Sequence, residues 1–177
     1  DVSLDFDGVN FVPLESDLAC QYNRLLTTFP EVEWWYLLQA GDRLLESTLV
    51  VLAERIAHKP NLKCIYSDES AFVDGVSAEP VFKPAFNVDL MRSYPYVGRA
   101  LAFSVKAVNE LGGFDSLHDG LVSHDMLWRL VESHGTHVIG HIAEIQVASS
   151  FKFSDWLSLP TMVSANRQLL TSHLDRL

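Results

Sequence analysis

Basic residues are scarce in this sequence: 13 lysines and arginines stand against 23 aspartates and glutamates, for a formal net charge of −10. A chain so anionic repels nucleic acid and anionic membrane over most of its surface, and no Lys/Arg cluster builds a local groove for either. Cysteine is nearly absent too. Cys20 and Cys64 lack the paired spacing of a metal site or disulfide framework, and Cys64 lies in the apolar run 62–66, which predicts a buried thiol and fits a reducing compartment. No apolar run approaches the roughly 20 residues that cross a bilayer, and no basic segment leads into a hydrophobic stretch at the start, so the chain is expected to be soluble. The seven histidines are scattered and do not form the motif of a zinc helix. Internal repeats and low-complexity segments are missing as well.

What is plentiful is apolar surface. With 48% hydrophobic residues in 177, the chain can bury a substantial core, and its length predicts one domain over 1–177. Short apolar runs bounded by turn residues alternate with longer runs at helical spacing, which predicts an α/β fold. Residues 34–38 read as a buried strand that stops at Gln39-Ala40-Gly41-Asp42; residues 46–58 follow as a helix ended by Lys59-Pro60-Asn61. Residues 62–66 read as the next strand, ending on Ser67-Asp68-Glu69-Ser70, so two strand ends deliver carboxylates to the edge where open α/β sheets bind ligands.

Beyond a turn at Asp74-Gly75, Asn87 is expected to cap a short helix, residues 99–103 to form a strand, and Ser104 to cap a helix over 105–111 that Gly112-Gly113 terminates. Ser123 is expected to cap a further helix, which places His124 and Asp125 in its first turn near the positive end of the helix dipole. Two short strands, 137–139 and 142–147, and a helix from about Pro160 complete the reading.

In this order, Tyr66-Ser67-Asp68-Glu69, Phe82-Lys83-Pro84 with Asn87-Val88-Asp89-Leu90, Gly112-Gly113-Phe114-Asp115, and His124-Asp125 ahead of Leu127-Trp128-Arg129-Leu130 resemble the motifs of family 2 glycosyltransferases, especially bacterial ones that build surface polysaccharides. The resemblance implies a GT-A (nucleotide-diphospho-sugar transferase) fold with a mostly parallel sheet flanked by helices. Residues 1–33 are similar to the family's third strand and the helix that follows it, with Asn23 on that helix. The chain, which opens on Asp1 rather than methionine, is therefore expected to be the later two-thirds of the family domain within a longer cytoplasmic protein, held at the inner face of the membrane through other domains.

The activity implied is transfer of a sugar from a nucleotide-sugar donor to a glycan acceptor, with inversion. That chemistry needs a base for the acceptor hydroxyl and positive charge for the departing diphosphate. The resemblance makes Asp125 the base; as a residue alone, it reads as a helix-start carboxylate held by the dipole. The family holds Mg²⁺ or Mn²⁺ through Asp-x-Asp at a strand end. Here Gln39 and Gly41 stand at those two positions, Asp42 is the one carboxylate left for a metal, and the aligned position of a further histidine ligand falls near Ala148, with His141 several residues too early. Asp68, Glu69, Gly112, Gly113, His124 and Trp128 are the acceptor-side candidates. Several have a plain structural alternative: turn caps for the carboxylates, a helix terminus for Gly112, packing for the tryptophan. The departures at Gln39 and Gly41 keep a second reading open, a non-catalytic glycosyltransferase-like binding or assembly domain.

Overall fold

A computed structural model of the chain describes residues 9, 11–73, 76–118 and 120–177. The turn expected at Asp74-Gly75 and the strand expected near the start lie outside the described residues. In chain order the elements are α1 (Leu18–Thr28), β1 (Trp34–Leu37), β2 (Arg43–Leu44), α2 (Thr48–His58), β3 (Cys64–Val73), β4 (Val76–Val81), α3 (Val88–Ser93), β5 (Leu101–Ser104), α4 (Val105–Glu110), α5 (Val122–His134), β6 (Ile139–Ser149), α6 (Phe153–Ser158) and α7 (Pro160–Asp175). Strands run in the order β1-β5-β3-β6-β2, with β4 beside the second half of β3.

The sheet is mixed, which corrects the expectation of a mostly parallel one. Of the five pairings among the described residues only β3 with β6 is parallel. Strand β5 runs against both its neighbours, β1 and β3, as β2 runs against β6 and β4 against β3. Apolar strands buried on both faces read alike whichever way they point, so the sequence carries no mark of this reversal. Because β1 opposes β5, β5 opposes β3 and β3 parallels β6, the C-terminal ends of β1 and β6 point to the same edge.

Alternation along the strands divides the core into two clusters. Cys64, Tyr66, Leu101 and Phe103 pack with Met91, Met126, Trp128, Trp156 and Leu169 from the helices, and Trp35 and Leu37 join them. Ile65, Ala102 and Ile142 pack with Leu52 of α2, joined by Trp34 and Tyr36. Burial pushes the Cys64 thiol far up, in keeping with its expected place in the core. No helix among the described residues is long and apolar enough to cross a membrane.

Candidate functional site

Where β1 ends, the chain turns under the control of Asp42. Its Oδ2 accepts the Gln39 N–H at 3.1 Å, while Oδ1 accepts the Ser149 hydroxyl at 3.0 Å and the Ser150 N–H at 3.1 Å. One carboxylate thus joins the end of β1 to the end of β6. Gly41 completes the turn at φ 92°, a left-handed value open to glycine, and a Cβ there would meet Ser150 at 3.1 Å.

Arg99, just ahead of β5, reaches into the same place. Its Nη1 donates to Gln39 Oε1, and its Nη2 donates to Ser149 Oγ and, at 3.3 Å, to the Phe151 carbonyl. Two adjoining crevices of about 500 and about 90 Å³ open around it, sharing Gln39, Arg99, Gly120 and Trp156. Phe151, Leu159 and Met162 line the larger; Tyr22, Ser123 and His124 line the smaller. His124 is buried with its ring 5.8 Å from that of Trp156. Burial pushes its imidazole down to about 4; a backbone hydrogen bond with Gly98 works against this shift and the Lys83 charge works with it, so the ring is neutral near pH 7.

Asp125 does not line either crevice. It is 1% exposed, and its Oδ2 accepts Arg129 Nε at 2.8 Å while Oδ1 accepts Arg176 Nη1 at 3.2 Å. Arg176 also clasps Glu132 through Nε and Nη2, and Glu132 bonds His173 Nδ1 at 2.6 Å. His173 in turn stacks on Trp128, ring centroids 3.9 Å apart. Trp128 is wholly buried in that stack.

Asp68 and Glu69, expected at a strand end, lie inside β3. Asp68 Oδ1 accepts the Lys83 N–H at 2.9 Å and is 2.8 Å from His141 Nε2; Glu69 Oε2 accepts Lys83 Nζ at 2.7 Å. Tyr66 donates its hydroxyl to the Pro84 carbonyl at 2.6 Å. The segment 82–84 is therefore bolted to 66–69, and both members of the Lys83–Glu69 pair are buried. Gly98 makes room for it: a Cβ there would lie 2.4 Å from Glu69 Oε2 and 2.6 Å from Lys83 Nζ. Burial pushes the Lys83 amine down, and the Glu69 charge pulls it back up.

Gly112 and Gly113 close α4, with the Gly113 N–H bonded to the Val108 carbonyl at 3.0 Å. The loop they open is fixed from α1. Asn23 Oδ1 accepts the Phe114 N–H and Asn23 Nδ2 donates to the Phe114 carbonyl, both at 2.8 Å.

The structure thus gathers Gln39, Asp42 and His124 at one edge, and leaves Asp68, Glu69, Gly112, Gly113, Asp125 and Trp128 out of the crevice walls. Arg99 and Trp156, which line both crevices, carry little mark in the sequence. Arg99 looked like the first residue of an ordinary strand; its one signal was being a lone arginine between Gly98 and an apolar run. Trp156 lies on α6, a six-residue helix too short for periodicity to reveal.

A divalent ion held by this chain would need oxygen ligands, and the donor set does not fit one. Gln39 Oε1 is engaged by Arg99, Gly41 has no side chain, and both Asp42 oxygens accept protein donors. His141 faces Asp68, not Asp42. Among the described residues, no three His, Cys, Asp or Glu side chains are grouped to hold an ion.

No family model matches the chain. It is 33% identical over 144 residues to the O-antigen biosynthesis protein RfbC of Myxococcus xanthus, and 30% identical over 145 residues to the uncharacterized protein y4gI of Sinorhizobium fredii. These matches take in 78% and 79% of this chain but span only 11% and 16% of those two proteins, so the chain is similar to one segment of much longer relatives.

Proposed function

We propose that this chain is a nucleotide-sugar-dependent glycosyltransferase domain of polysaccharide biosynthesis, with its donor in the crevice around Gln39, Arg99, His124 and Trp156. The observation that carries the reading is the crevice itself, set at the shared C-terminal edge of β1 and β6, where α/β sheets bind ligands. Its polar groups stand against aromatic walls, a composition suited to a phosphate-bearing sugar. Similarity to a protein named for O-antigen biosynthesis supports the polymer class.

In this reading Asp125 takes the proton of an acceptor hydroxyl as that oxygen bonds to the sugar carbon, and the sugar–phosphate bond breaks with its electron pair leaving on the diphosphate. The carboxylate faces the guanidiniums of Arg129 and Arg176 at 2.8 and 3.2 Å. One observation favours a second reading, a non-catalytic sugar-binding or assembly domain: both Asp125 oxygens are already engaged and neither crevice includes them.

Donor hydrolysis by the full-length protein separates the two. Hydrolysis that is lost in Asp125→Asn, with nucleotide binding retained, supports transfer through Asp125. Binding without hydrolysis supports the second reading, and no binding of any nucleoside diphosphate or nucleotide sugar rejects a donor site altogether.

A further inference from the structure

We infer that Arg99 supplies, from the protein itself, the positive charge that receives a diphosphate at this crevice, making anion binding here independent of a divalent ion. The inference rests on the donor-site reading above and sharpens it. Its starting point is the mismatch at 39–42, where a cation is called for and the oxygen ligands do not assemble. What stands against Gln39, the residue at the first metal-ligand position, is a guanidinium.

The surroundings of Arg99 prepare it for this task. A guanidinium carries five N–H donors, and three are committed here, to Gln39 Oε1, Ser149 Oγ and the Phe151 carbonyl, leaving two. All three acceptors are neutral, so none cancels its charge. Other cations of the fold face carboxylates, Lys83 facing Glu69, Arg129 facing Asp125, and Arg176 facing Asp125 and Glu132, whereas Arg55, which also donates to a neutral carbonyl, that of His141, is not among the residues lining the crevices.

Asp42 acts on Arg99 through Ser149. Because the single Ser149 hydroxyl proton goes to Asp42 Oδ1, the oxygen can only accept from Arg99, which fixes the guanidinium in place. Gln39, engaged by Arg99 through its carbonyl oxygen, holds the other side. A preorganised fork of this kind suits phosphate oxygens better than a flexible ammonium would.

The walls complete the site. Arg99 lies 5.9 Å from the ring centroids of both Phe151 and Trp156, and Leu159 and Met162 extend the apolar lining. An apolar surround weakens screening by water, so one charge there attracts an anion more than it would in the open. On a chain of net charge −10, such a focal positive group is the feature an anionic ligand requires.

The test is calorimetric titration of inorganic pyrophosphate into the full-length protein in EDTA, using wild type, Arg99→Gln and Arg99→Lys. We expect binding in EDTA, weakened at least about tenfold in R99Q and recovered in part in R99K, with thermal midpoints reported for each. Binding that appears only on adding Mg²⁺ or Mn²⁺, a result read on wild type alone, overturns the inference; so does equal binding in a folded R99Q. Parallel titration of nucleoside diphosphates and nucleotide sugars keeps the two proposals apart. Metal-dependent nucleotide binding indifferent to Arg99 ends this inference and leaves the donor site standing. Pyrophosphate bound through Arg99 while every nucleotide fails ends the donor-site reading and leaves the anion site.

Discussion

Asp125 and Arg176 meet at 3.2 Å where α5 packs on α7, and Arg129 closes on the same carboxylate from one helical turn away. Arg129 also donates to the carbonyls of Leu111 and Gly113, at 3.1 and 2.7 Å, so the pair ties α5 to the end of α4 as well. Replacing Asp125 by Asn removes the charge both guanidiniums answer to. Because Arg176 is about a third exposed, the cost falls at the lower end of that for a broken buried pair, about 3 kcal/mol. Urea denaturation checks this; an Asp125→Asn protein as stable as wild type would show that the clamp is not structural.

The Lys83–Glu69 pair is more deeply enclosed, and its rupture costs more. Lys83→Met leaves Glu69 buried without its cation, with an expected loss of about 4 kcal/mol. Adding Glu69→Leu removes the orphaned charge, so the double variant is expected to regain a large part of that loss. Additive losses in a double-mutant cycle would contradict this account.

Stability is also expected to decline on the acid side through His124. The unfolded imidazole takes up a proton near 6.5, the folded one only near about 4, so between those values the unfolded state binds more protons. The contribution is complete above pH 6.5 and shrinks as pH falls towards 4. In denaturation midpoints collected from pH 7 to pH 4.5, His124→Gln should fall less steeply than wild type. Parallel slopes would assign the decline to other groups.

Gly112 and Gly113 are neighbours with φ of 82° and 84°, yet they should not tolerate alanine equally. At Gly112 a Cβ meets nothing within 4 Å, so only the backbone cost of about 1 kcal/mol applies. At Gly113 the Cβ would lie 2.5 Å from Asn23 Oδ1, and displacing Asn23 unseats both hydrogen bonds to Phe114, for about 3 kcal/mol in all. Equal thermal midpoints for the two variants would count against the Asn23 clamp.

Local signals were legible in the sequence. Asn87 caps α3 through the Leu90 N–H, Ser104 caps α4 through the Ala107 N–H, and Pro160 opens α7, because each acts on backbone within three residues. Ser123 is the exception: α5 begins at Val122 with Leu121 at the cap position, two residues ahead of the expected start, and the Ser123 hydroxyl lies 3.4 Å from His124 Nδ1.

What the sequence hid were partners far along the chain. Ser67 to Ser70 resembled a loop because they are polar, but Lys83 and His141 satisfy Asp68 and Glu69 and let β3 run on to Val73. The two strands expected over 137–139 and 142–147 are replaced by one, β6, which runs on through 140 and 141. Glycine is needed at 140 because a Cβ would come within 2.7 Å of Leu62. Arg99 escaped notice for the same reason, since Gln39 and Ser149 lie 60 and 50 residues away.

The clamp between Asn23 and Phe114 spans 91 residues. On a ribosome adding roughly 5 to 20 residues per second, α1 would emerge about 5 to 20 seconds before the backbone it is built to hold. Through that interval Asn23 has only water to bond, and the loop that follows α4 cannot settle until both ends of the span are present. The order of synthesis therefore sets when this corner of the molecule can form.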